Sequence, residues 1–139
     1  MIDFHFESEF VLKNKSDYSD WISRIIVSED FIVGDVDYIF CTDDYLLEIN
    51  KVYLNHDTYT DIITFDYVSG KVLSGDIFIS IERVVENSKI YKESFKRELL
   101  RVMSHGVLHL MGYGDKQDEE QEIMRKKEEE KIKMFHVER

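Results

Sequence analysis

"KESFKRELLRVMSHGVLHLMG", residues 92–112, is the stretch in which the hydrophobic period of the chain changes. Phe95, Leu99, Val102, Met103 and Gly106 recur at spacings of three and four. They predict one apolar helix face, with lysine and arginine on the other. Just upstream, "GDIFISIE" at 75–82 is rich in β-branched and aromatic residues and reads as a strand. Gly112 ends the helix, and the chain turns through Gly114 to Asp115. A strand feeding a long amphipathic helix sets the fold class as mixed.

Outward from this pair the pattern continues to mix. "IDFHF" at 2–6 alternates apolar and polar and reads as a short strand, with His5 on its polar side. A helix is predicted from Asp17 to Ser28, capped by Ser16 or Asp17, with Trp21, Ile22, Ile25 and Ile26 as its apolar stripe. "VDYIFCT" at 36–42 is a second strand, and Thr42 caps a helix carrying Tyr45, Leu46 and Ile49 that ends near Val52. "YLNHDTYTD" is a polar loop, with Asp57 as a turn residue, and "IITFDYV" at 62–68 is a strand closed by Ser69-Gly70. "RVVENSKIY" reads as helical. From Asp118 a terminal helix follows, with Ile123, Met124, Met134 and the stems of Lys127 and Lys131 facing inward, and its charge blocks on solvent. The strands and helices do not alternate regularly. We expect one α+β domain over 1–139: a small mixed sheet of about four strands packed with helices, and a metal site at the end of the central helix.

Composition narrows the function classes. The 139 residues are 43% hydrophobic and 13% aromatic, enough for a core without disulfide staples. Cys41 is the only cysteine; following "YIF", it reads as a buried strand residue, and a thiol nucleophile there lacks a local partner. The first ten residues carry early acids and no long apolar core, unlike a signal peptide, and no 18-residue apolar run is present. A cytoplasmic protein without a membrane partner is the expectation. The net charge of −11 argues against a broad electropositive surface. It leaves room for a local basic groove, or for nucleic acid met inside a larger complex. Lys96, Arg97 and Arg101 form the clearest basic stripe, either a phosphate contact or a solvated helix face.

The chemistry concentrates in "SHGVLHLMGYGD", residues 104–115. Residues four apart on a helix stand on one side, so His105 and His109 can offer imidazole nitrogens to one ion. A sharp turn at the glycines can return Asp115 to them. Two histidines and a carboxylate leave a position for water, the pattern of a catalytic zinc site. The same spacing also arises by chance, with one histidine satisfying a core polar group, and Asp115 alone would serve as a cap for the turn before the last helix. Gly106 stands where a zinc peptidase of the HExxH type carries its glutamate base, which turns the reading away from that chemistry.

"HGVLHLMGYGD" resembles the signature of the YbeY family, bacterial rRNA maturation factors described as endoribonucleases. "INKVYLNHDTYTDIITFDY" at 49–67, "LSGDIFIS" at 73–80, and Met124 with Glu128 continue the likeness, which spans about residues 36–134. The resemblance implies one zinc ion per chain, held by His105, His109 and, in the place of a usual third histidine, Asp115. Gly114 replaces the family's adjacent aspartate, Leu54 stands at its usual arginine, and Tyr59 at its proline. A carboxylate ligand would make bound water less acidic and would also suit iron, manganese or nickel. His56 is the candidate acid, base or phosphate contact. Thr60 and Asp61 are expected to shape the loop or orient ligands, and Asp76 to do the same or to start its strand. The resemblance implies a metal-dependent, single-strand-specific endoribonuclease of rRNA processing, with rRNA or a pre-ribosomal particle and ribosomal proteins as partners, and no DNA. A ribosome-assembly protein with a non-catalytic metal and a metal-dependent hydrolase of another substrate, peptide included, are the competing readings. A plain interaction domain without metal is a third.

Overall fold

The computed structural model describes residues 1–135. In chain order these form β1 (Ile2–Glu7), α1 (Lys15–Ser28), β2 (Ile32–Cys41), α2 (Asp43–Leu54), β3 (Ile62–Asp66), β4 (Val72–Ser80), α3 (Ile81–Ile90), α4 (Phe95–Leu110) and α5 (Asp118–Phe135). The four strands make one sheet in the order β1-β2-β4-β3. β1, β2 and β4 run parallel, and β3 is antiparallel to β4. The α+β expectation with about four strands is met.

Alternation in β2 divides the molecule into two layers. Val36, Tyr38 and Phe40 are fully buried in the main core, with Trp21, Ile22, Ile25 and Ile26 of α1 and Leu99, Met103 and Val107 of α4. Cys41 points to the other face, where it meets Leu46 of α2 and Ile63 of β3. It is the buried strand residue expected: the thiol donates to the Ile79 carbonyl at 3.5 Å, and burial, with the nearby Asp43 and Glu7 charges, pushes its pKa up to about 12. Two polar tips inside the main core are satisfied by helix carbonyls. Tyr38 donates to Met103 O and Trp21 to Lys131 O, each at 2.7 Å.

Several boundaries differ from the sequence expectation. β2 begins at Ile32, because Val33 and Val36 bracket a register shift that breaks the local alternation. α1 starts at Lys15 behind Asn14 in the left-handed conformation, and neither Ser16 nor Asp17 caps it. α2 is capped by Thr42 as expected, its oxygen accepting from Tyr45 N at 3.2 Å. Ser80 and Ser94 cap α3 and α4 in the same way. In α5 the buried face is Met124, Glu128, Lys131, Ile132 and Phe135, while Ile123 is 51% exposed. The charge blocks of α5 are therefore partly internal, contrary to a wholly solvated face.

Candidate active site

Gly106 explains how the histidines reach the sheet. A Cβ at this position would lie 2.8 Å from Ile77 Cγ2 and 3.2 Å from Ile62 Cδ1. The missing side chain lets α4 settle directly on β4 and β3, next to His105. After Leu110 the chain leaves the helix at Gly112, whose φ of 106° belongs to the region that favours glycine. Tyr113 N bonds back to Leu108 O at 3.2 Å. The turn is held from outside as well: Tyr113 donates its hydroxyl proton to Glu29 Oε1 at 2.7 Å.

The turn delivers Asp115 to the first histidine. Asp115 Oδ2 lies 3.3 Å from His105 Nε2. It does not serve as the cap of the last helix; there Glu120 Oε1 accepts from Gln117 N at 3.1 Å. On the other side of the ring, His105 Nδ1 meets Glu128 Oε2 of α5 at 2.7 Å. A carboxylate only accepts, so Nδ1 is the donor and Nε2 is turned toward Asp115. An Nε2 lone pair and a carboxylate oxygen repel at this distance unless a proton or a cation lies between them. Burial favours the neutral ring, but the bond and charge of Glu128 and the nearby Asp115 and Asp61 carboxylates raise the His105 pKa above the ordinary value.

His109 is exposed, its ring parallel to that of His105 with centroids 6.3 Å apart. His105, His109, Asp115 and His56 line one cavity of about 370 Å³, together with Leu54 and Lys116. The loop bearing His56 is fixed at both ends: His56 N donates to Asn50 O at 3.1 Å, and Asn50 Nδ2 donates to Thr58 O at 2.8 Å. Among the described residues no three His, Cys, Asp or Glu side chains are already gathered as an ion-binding cluster. His105 and Asp115 are adjacent, and His109 would have to join them. The donor set fits a divalent ion in kind: two imidazoles, a carboxylate, and a buried carboxylate bonded to the far nitrogen of one histidine.

The other expected residues separate. Thr60 and Asp61 stand at the site, both lining a second cavity that shares His105 and Asp115. Burial raises the Asp61 pKa, opposed by the His105 charge and by its own backbone amide. Asp76 is elsewhere: it sits mid-strand beside Tyr67, Asp37 and His5, on the sheet face away from α4. His5 there bonds Asp37 Oδ1 at 2.8 Å.

The basic stripe of α4 is engaged within the chain, although Lys96 stays exposed. Arg97 pairs with Glu93 and Glu129, Arg101 reaches Glu129 at 2.7 Å and Glu128 at 3.3 Å, and the Lys96 ammonium lies over the Phe135 ring. These contacts clamp α5 to α4 and hold Glu128 in place. Sequence reasoning noted Glu128 without giving it this task. The available signal was a glutamate in register with Met124 and Ile132 on the inward face of the last helix.

Known proteins resemble this chain along nearly its whole length. The family described as Endoribonuclease YbeY matches residues 3–136. A relative from Flavobacterium johnsoniae, named Endoribonuclease YbeY, is 56% identical over 138 residues, covering 99% of each chain. One of the same name from Cytophaga hutchinsonii is 44% identical over 133 residues, covering 94% of this chain and 92% of the relative. A solution structure of a Thermotoga maritima protein superposes with a TM-score of 0.66 at 26% identity, covering 97% of this chain and 89% of that one. Matched along nearly its whole length, the chain belongs to the endoribonuclease YbeY family.

Proposed function

We propose that this protein is a metal-dependent, single-strand-specific endoribonuclease that acts in rRNA maturation in the cytoplasm. Membership of an endoribonuclease family supports a hydrolase acting on RNA. The observation that carries the metal reading is the approach of His105 Nε2 and Asp115 Oδ2 to 3.3 Å, with Nδ1 of the same ring tied to Glu128. His105, His109 and Asp115 would hold one divalent ion, with zinc as the proposed metal. When bound, such an ion supplies Lewis-acid polarisation of a phosphodiester oxygen and a more acidic water.

The remaining roles belong to the chain. Glu128 fixes the His105 tautomer and keeps Nε2 toward the cavity. His56 lines the same cavity and would move a proton at the leaving or attacking oxygen or bind phosphate. Lys116 lines the same cavity and offers an ammonium where Leu54 has none. No helix among the described residues is long and apolar enough to cross a membrane. With a net charge of −11, productive binding is stronger inside a pre-ribosomal particle than on naked RNA.

The test is a substrate panel with metal-reconstituted protein: single-stranded and duplex rRNA fragments, pre-ribosomal particles and unstructured peptides, each with and without chelator. Chelator-sensitive cleavage of single-stranded RNA, faster on particles, is expected. Cleavage of peptides alone would overturn the proposal.

A further inference from the structure

A second cavity of about 590 Å³ adjoins the first across His105 and Asp115, framed by α3, α4 and α5. Its size suits one nucleoside. Tyr91, at the end of α3, is 62% exposed and contributes an aromatic face to the wall. Glu98 lies deep on α4, only 3% exposed, and its Oε1 makes no hydrogen bond, with Arg101 Nε 3.6 Å away. Asp61 completes the acidic wall, its carboxylate bonded by its own backbone amide and near the His105 and Arg83 charges. Burial raises both carboxyls above the usual range, Glu98 to about 7. A buried carboxyl with one oxygen outside any hydrogen bond, beside a half-buried aspartate, suits a ligand that brings N–H groups. Arg125 lines the cavity, is exposed, and enters no ion pair among the described residues.

A simple cation is disfavoured by Arg101 and Arg125 in the same wall. A nucleobase suits it better. Unstacked bases are recognised by aromatic stacking and by hydrogen bonds to their edges. Guanine presents two adjacent donors, N1–H and the 2-amino group, on one edge. Uracil flanks its single N–H with carbonyl oxygens, which carboxylates repel.

Resting on the ribonuclease reading above, we propose that this cavity is a guanine subsite for the nucleotide next to the scissile phosphate. Tyr91 stacks on the base, Asp61 and Glu98 accept from its edge, and Arg125 meets the neighbouring phosphate. The acidic wall thus contributes to RNA recognition in a protein whose net charge opposes it.

The experiment titrates the full chain with GMP, IMP and UMP by NMR, beside Tyr91→Ala and Asp61→Asn. Tyr91 is exposed, so its variant keeps the fold and guards against misfolding of the second. GMP is expected to bind about ten-fold more tightly than UMP, with IMP between, as befits one lost hydrogen-bonding edge. Y91A should weaken GMP about ten-fold, the scale of a base–aromatic stack. Equal affinities for GMP and UMP, or a silent Y91A, overturn the subsite. So does binding of an arginine-rich peptide without binding of GMP. Cleavage of single-stranded RNA with no base preference at the scissile bond overturns the subsite and keeps the ribonuclease. Selective GMP binding without cleavage of any RNA keeps the subsite and overturns the ribonuclease.

Discussion

His105 on α4 and Glu128 on α5 are joined at 2.7 Å, so the orientation of a site histidine depends on how two helices pack. Arg101 makes the dependence explicit by bonding Glu128 and Glu129 from the α4 side. Replacing Glu128 by alanine frees the ring while Arg101 keeps Glu129. The expected result is a loss of about 10- to 100-fold in zinc affinity. Competition with a chromophoric chelator measures it, with circular dichroism to show that α5 remains docked. Unchanged affinity would separate Glu128 from the site.

Gly106→Ala tests whether the absence of a side chain beside His105 is a packing requirement. Helix propensity alone would favour alanine by about 1 kcal/mol. Against this, the new Cβ meets Ile77 Cγ2 at 2.8 Å, on a fully buried β-branched residue with little freedom to move. Overpacking of this kind costs about 1–3 kcal/mol, so a net destabilisation is predicted. Urea unfolding with a constant slope checks it; an unchanged or raised midpoint would contradict it.

Glu29 anchors the turn that carries Asp115, and its pH dependence is predictable. Burial pushes its pKa up, but bonds from Lys131, Tyr113 and Lys127 and the Lys131 charge outweigh this and bring it from 4.5 down to about 2. A carboxyl with a lowered folded value contributes stability that is present above about pH 4.5 and lost as pH falls through about 2. Glu29→Gln should therefore cost up to about 3 kcal/mol near neutrality. Wild type and variant should converge in stability below about pH 2. Denaturant titrations from pH 7 downward test this, and a constant difference between the two proteins across that range would contradict it.

The fold was most legible where a period ran uninterrupted. Val36, Tyr38 and Phe40 announce β2, and Leu99, Val102 and Met103 announce α4, because each repeat follows the geometry of its own element. The start of β2 was hidden because a register shift between Val33 and Val36 breaks the alternation. That His105, His109 and Asp115 line one cavity follows from one helix and the turn after it. The destination of Arg101 was not, because its partner Glu128 lies 27 residues away on another helix. Local sequence does not encode that docking. Asp76 misled for a related reason: its neighbours Asp37 and His5 come from other strands, on a face that spacing alone does not assign.

His109 offers the most direct test of the central claim, since it is exposed and its removal leaves the core untouched. The measurement is the single-turnover rate of cleavage of a single-stranded rRNA fragment by zinc-reconstituted wild type and His109→Ala. A loss of about a hundred-fold or more, with unchanged thermal unfolding, is the predicted result. Equal rates for the two proteins would contradict RNA hydrolysis at the His105, His109 and Asp115 site.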